Sequence, residues 1–303
     1  MTAKKLQILP AALLGLGLMV ATPLLADDTT LPREPQAQSE ATESVQPDVD
    51  KQVTERAAQR RQKIAADAVA AVHETKNALR LLDEEKADEA LAALERATGK
   101  MQLILAREPE LALAPVDMEV VTYDLLADVK TIETAIDRAQ EYLDEGEIQK
   151  ARPLVANLAS EMVFQTTSIP LATYPDAIKA IAPLIDAGKL DVAKAALQAA
   201  LNTLVVTTDE VIPLPVLRAD MLLGSAETLA ENEARTEQDN ETLSTLLAAA
   251  RKQLMVAELL GYGTKKSFKP MYEQLDEIEK KSAGGKSGKG WFDKLKQQVS
   301  DLV

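Results

Sequence analysis

The chain has 303 residues, 34 basic against 48 acidic, a formal net charge of −14 and no cysteine. That balance repels phosphate and anionic lipid and argues against a nucleic-acid partner. The missing thiols exclude disulfides and a lipoprotein lipobox, and with aromatic residues at 3% the core must be built from Leu, Ala, Val and Ile, as in helical repeats.

Residues 1–26 set Lys4 and Lys5 before an apolar run from Ile8 to Leu25 and end on the small Ala26. This is the pattern of a secretory signal peptide, with cleavage expected after Ala26 and export to the periplasm. A leader kept as a membrane anchor is the alternative, because the run is about 18 residues, the lower limit for a span. Lys4 and Lys5 are the leader's only charges, so cleavage takes the net charge from −14 to −16. Residues 27–50 are acidic, rich in Pro, Gln, Ser and Thr, and lack an apolar period, which predicts a disordered tether. A helical domain is expected over 51–279, with Ile64, Ala68, Val72, Leu79 and Leu82 tracing its first apolar face.

One motif recurs three times: Leu82-Asp83-Glu84-Glu85 before Ala90, Leu143-Asp144-Glu145-Gly146 before Ala151, and Ile185-Asp186-Ala187-Gly188 before Ala193. It reads as the tip of a helical hairpin: a helix ends on an apolar residue plus Asp, a tight turn follows, and a second helix begins. The small Ala lets the two helices approach, and Leu94, Val155 and Leu197, four residues on, share its face. Tetratricopeptide hairpins are spaced this way around their turn. The Asp positions lie 61 and 42 residues apart, however, where that family repeats at about 34.

Each hairpin is followed by a proline-bearing, β-branched connector: Glu108–Pro115, Thr166–Pro175 and Val205–Pro215. These disfavour helix; they are expected to lie as apolar straps over the helices, or to form a small β ribbon if they pair. A fourth helix pair is predicted over Val216–Asn232 and Asn240–Leu260, with its own connector from Gly261 to Pro270. The order of parts suggests four units, or two duplicated halves near 64–175 and 176–270, equating Pro115-Val116 with Pro215-Val216 and Asp124–Leu126 with Met221–Leu223. Residues 280–290 read as a flexible Lys/Gly/Ser linker. Residues 291–303 read as an amphipathic terminal helix with Trp291, Phe292, Leu295, Val299 and Leu302 on one stripe. So short a helix needs a surface: the protein's own body, a second copy or partner, or a membrane.

Chemistry is sparse. His73 is the only histidine, so no single-chain triad or histidine-rich metal site is possible. Gly-rich phosphate loops and the calcium-loop spacing are absent, and the carboxylate groups at the turns lack the enclosed cleft that acid–base catalysis needs. The expectation is a non-enzyme without cofactor or metal. Phe164, Tyr174, Tyr262, Phe268, Trp291 and Phe292 are the candidate binding surface, alongside Tyr123 and Tyr142 near the same helix–connector junctions; the competing reading is that such residues close a core.

Ala65–Ala68, Thr98–Met101, Ile169-Pro170 with Tyr174-Pro175, and Ala257–Gly263 together make residues 64–270 resemble the YfdX family of exported enterobacterial proteins. The resemblance implies a periplasmic, mainly helical, non-enzymatic protein tied to stress survival, including heat, oxidant and acid tolerance, and brings no catalytic residues. The combined expectation is a mainly α protein acting by binding, holdase-like, on unfolded envelope proteins. Alternatives are a module for a small apolar ligand or peptide, and an oligomeric scaffold assembled through the terminal helix, which is also the segment expected to touch a membrane if any does.

Overall fold

The computed structural model describes residues 38–302. The signal-peptide reading and the first part of the expected tether lie outside them. The described chain is mainly helical with one small sheet. In order it runs α1 (Glu40–Arg61), α2 (Ala66–Asp83), α3 (Ala87–Arg107), β1 (Leu113–Tyr123), α4 (Val129–Asp144), α5 (Ile148–Ala156) and β2 (Glu161–Pro170). There follow α6 (Tyr174–Lys179), α7 (Ala182–Asp186), α8 (Leu190–Leu201), β3 (Val205–Pro213), α9 (Leu214–Glu231), α10 (Glu237–Leu259), α11 (Lys265–Ser282) and α12 (Asp293–Ser300).

The three predicted tips form one backbone motif. At each, the residue in the turn is left-handed: Glu85 at φ 59°, Gly146 at 76° and Gly188 at 68°. Lys86 N–H donates to the Leu81 carbonyl at 2.9 Å, Glu147 to Tyr142 at 2.7 Å and Lys189 to Leu184 at 2.9 Å. This six-residue closure satisfies carbonyls that a helix end otherwise leaves open. Asp83, Asp144 and Asp186 thus mark three equivalent helix ends, and each hairpin leads into one strand. The chain contains three helix–helix–strand units, α2–α3–β1, α4–α5–β2 and α6/α7–α8–β3.

The connectors expected to lie as straps instead pair, completing the ribbon that was the alternative. They form an antiparallel sheet in the order β1-β2-β3, with Phe164 opposite Val120 on one side and Glu210 on the other. β-branched residues and backbone donors that would be orphaned in a strap gain ladder partners this way. Bulges at Val116 and Asp209 absorb the register shifts. The four-unit and two-half readings do not fit this backbone: Pro115-Val116 lies in β1 while Pro215-Val216 opens α9, and Asp124–Leu126 is irregular while Met221–Leu223 is helical.

Two regions share the core. Units one and three pack on each other through Leu82, Leu94, Met101, Ile178, Ile185 and Leu197. The C-terminal helices α9–α12 bundle around Leu222, Leu223, Leu254, Phe268 and Leu275. Between them α1 lies across one sheet face, where Val49 and Ala57 join Met118, Met162, Phe164 and Ile212. The tether expected over residues 27–50 is therefore replaced, from Glu40 onward, by a helix. Its N-cap Ser39 accepts from Thr42 N–H, and Thr42, Val45, Val49 and Ala57 form its narrow buried stripe. Arg56 and Arg60 then clamp the β3 bulge through Glu210 at 2.9 and 2.5 Å, with the Arg60 guanidinium 5.2 Å from the Phe164 ring centre.

Three further expectations change at the C-terminal end. The Gly261–Pro270 connector is largely helix, since α11 starts at Lys265 behind its Thr264 cap and contains Pro270 in its first turns. The 280–290 linker is not free: Arg235 donates to the Lys286 carbonyl at 2.8 Å and Gly288 N–H to Ala230 at 3.1 Å. A Cβ on Gly288 would stand 2.3 Å from the Trp291 ring, so only glycine permits that stacking. The terminal helix forms as α12, and its stripe is spent internally, with Phe292, Leu295 and Val299 buried among α9 and α11. No helix among the described residues is long and apolar enough to cross a membrane.

Candidate functional site

Burial divides the predicted binding surface. Phe164, Tyr174, Phe268 and Phe292 are at most 1% exposed, so they are core residues and cannot meet a ligand without unfolding. Their size and the scarcity of aromatics explain this, because each fills volume that aliphatic neighbours leave. Tyr174 sits inside the packing of units one and three, where burial pushes its phenol up from its ordinary pKa. Trp291 and Tyr262 are half-buried. The structure brings Phe268, Phe292, Tyr262 and Trp291 into the C-terminal core and leaves Phe164 under α1 and Tyr174 elsewhere, so the six form no common surface.

Tyr262 does belong to a polar junction. Its hydroxyl accepts from Ser160 N–H at 2.9 Å and donates to Glu161 Oε2 at 2.8 Å. Burial first, and the neighbouring carboxylate next, hold its pKa well above the usual tyrosine value. Ser160 Oγ donates to Asp124, and Asp124 receives both Nη1 and Nη2 of Arg218 at 2.9 and 2.7 Å. Arg218 also donates to Gln46 on α1, and its side chain is 4% exposed. Beside this network lies a cavity of about 50 Å³ lined by Ser39, Thr42, Ser160 and Arg218. That holds a few waters and no organic ligand. The junction is therefore a clamp: Asp124 just precedes α4 and Ser160 just follows α5, so the second hairpin is pinned at its root to α1, α9 and the loop after α10.

Sequence reading missed Arg218, although a lone guanidinium inside the apolar stretch Leu214–Leu223 was the available signal.

Accessible apolar surface lies on the sheet face away from α1. Val163 sits directly between Val121 and Val211 across the strands, and neighbours along a strand alternate faces, so this row is turned away from Phe164. Val206, Val211 and Tyr123, on the same face, are 59%, 40% and 48% exposed. Among the described residues β1 and β3 are the edge strands of this sheet, and a strand edge is a template for adding another chain. A second concavity, about 660 Å³ and open, runs between α10 and the end of α11 over Leu243 and Leu247, with Glu237, Glu241 and Glu279 at its rim. Among the described residues no cluster of three or more His, Cys, Asp or Glu side chains could hold a metal ion.

The described chain is an array of three helical hairpins, each feeding one strand of a shared antiparallel sheet. Residues 71–210, from within α2 to within β3, match the family described as YfdX protein; α1 and α9–α12 lie outside the match. Among solved structures, YfdX of Salmonella Typhi is similar at 15% identity and a TM-score of 0.34, covering 50% of this chain and 93% of that one. No curated protein matches.

Proposed function

We propose that the protein is a non-catalytic, periplasmic stress-tolerance factor that acts as a holdase, binding unfolding envelope proteins. The observation that carries this is the open sheet face, where Val206, Val211 and Tyr123 are exposed on the two edge strands of the described sheet. Unfolding chains offer both complements: extended backbone to add to an edge, and apolar side chains to cover a row of valines. The charge, −16 once the leader is removed, keeps a loaded complex soluble. The acidic groove between α10 and α11, with its Leu floor, favours a second reading in which a small amphipathic cation is bound.

Light scattering of an aggregation-prone envelope protein during heating tests the first reading. Suppression near equimolar protein is expected, weakened by Val206→Lys with Val211→Lys. Undiminished aggregation with the unaltered chain moves the function to the groove. The location is checked separately: the N-terminal residue of protein recovered from the periplasm should be Asp27.

A further inference from the structure

The three hairpin tips share one backbone but differ in what covers them. The apolar residue before the turn Asp is 1% exposed in unit one (Leu82) and 3% in unit three (Ile185), yet 49% in unit two (Leu143). The residue four past the hairpin Ala repeats the pattern: Leu94 at 3%, Leu197 at 0% and Val155 at 53%. Ile148, opening the second helix of unit two, is 61% exposed. Units one and three bury these positions by docking hairpin against hairpin, α2 on α8 and α3 on α6 and α7. The same surface of unit two is built for that docking and has no hairpin to receive.

Charge identifies the missing hairpin. Where units one and three meet, Lys194 on α8 reaches Asp83 at the unit-one tip, 3.8 Å away. Counting from the shared Ala, Lys194 corresponds to Arg152 in unit two, and Asp83 corresponds to Asp144. Unit one has Leu91 in place of the cation, so the intramolecular pair can form in only one direction. Unit three also carries both charges, Asp186 and Lys194, but its cation is already engaged by Asp83 and Asp191; unit two carries Asp144 and Arg152, and among the described residues neither has an ion-pair partner. A two-fold axis makes residue i meet j while j meets i. Two copies of this hairpin then form the bridge twice and cover Leu143, Ile148 and Val155 on each side.

We propose that the α4–α5 hairpin is a homodimerisation surface, with a second copy of the chain docking there as units one and three dock within one chain. This goes beyond the holdase reading and leaves the open sheet face free for it. The dimer is isologous, its apolar centre is Leu143 and Val155, and its specificity is the pair Asp144 with the partner's Arg152.

Sedimentation velocity of the full chain across a wide concentration range tests this with four proteins: unaltered, Asp144→Arg, Arg152→Asp and the double exchange. The positions are exposed, so circular dichroism should be unchanged throughout. Expected is reversible dimerisation, weakened about tenfold or more by either single exchange because like charges then face each other. The double exchange should recover it, as should an equimolar mixture of the two single variants. A chain that stays monomeric at every concentration overturns the proposal, as does an assembly indifferent to both single exchanges. A loss that neither the double exchange nor the mixture repairs also overturns it.

Discussion

Units one and three are held along their length and unit two at its root. The outer hairpins share an apolar interior in which Leu82, Leu94, Ile185 and Leu197 are nearly water-free. The middle hairpin has a small apolar cluster of its own, Ala139, Tyr142, Ala151 and Leu154. It is fastened instead by Arg218, Asp124, Ser160 and Tyr262 where it leaves and rejoins the sheet. One local motif thus supports two kinds of attachment. The turn determines that a hairpin forms, and the residues around it determine what the hairpin is for.

The most damaging way to break that contrast is at the clamp. Asp124→Ala leaves the Arg218 guanidinium buried against Gln46 alone, and an uncompensated buried charge costs about 3–5 kcal/mol. Urea unfolding should show that loss, and hydrogen exchange should show α4 and α5 opening before α2, α3 and α8. Equal loosening of all three units would mean that the clamp is not specific to the middle hairpin.

Apolar truncation reads the other side of the comparison. Leu197→Ala in unit three removes a fully buried side chain at about 2–5 kcal/mol. Val155→Ala, its counterpart in unit two, should stay within about 0.5 kcal/mol in the monomer, as exposed substitutions do. Measured at low protein concentration, similar losses at both positions would show that Val155 is covered within one chain.

How much of this was legible in the sequence depends on how local each signal is. The hairpin tips were readable because the apolar–Asp pair, the left-handed residue and the Ala are local demands of a turn. Strand pairing was harder, since whether a β-branched connector finds a ladder depends on segments some 40 residues away. α1 was missed only over its first half, Glu40–Asp50, and for a different reason. Its stripe, Val45, Val49, Val53 and Ala57, has perfect i+4 spacing, but four apolar residues among Glu, Gln, Ser and Thr read as polar sequence. The aromatic residues named as a binding surface were misplaced because aromatic identity does not report burial, and the exposed valines of the sheet face carry no mark beyond ordinary strand composition. The middle hairpin's openness could be seen only after Leu143 and Val155 were set against their buried equivalents.

The turn residue itself offers a smaller test of unit equivalence. Glu85 occupies at φ 59° the position filled by Gly146 and Gly188, and left-handed backbone costs an L-residue about 1–2 kcal/mol. Glycine is favoured there but loses more entropy on folding. Glu85→Gly should therefore raise stability by less than about 1 kcal/mol, and Gly188→Ala should lower it by about 1 kcal/mol. Opposite signs at the two positions in thermal melts would confirm that they are one structural position. A loss at Glu85 would show that its side chain does something that the other two turns do not require.

The smallest effect separates two charged residues on α9. Arg218 is buried with a counterion, whereas Asp220, two residues on, is half-buried on the side facing α12. Burial raises its pKa above the ordinary 3.8; Lys296 on α12 pulls it back and Glu227 on α9 pushes it further up. A carboxyl with a raised folded pKa holds its proton more tightly folded than unfolded. Its contribution is therefore complete below about pH 4, lost as pH climbs through the raised folded value, and absent above it. Asp220→Asn removes this titration. The variant should be slightly more stable than the unaltered chain at pH 7, and the advantage should shrink on acidification towards pH 4. An advantage that instead grew on acidification would mean that Lys296 outweighs burial at this site, and that α12 is docked by an ion pair rather than by Phe292, Leu295 and Val299.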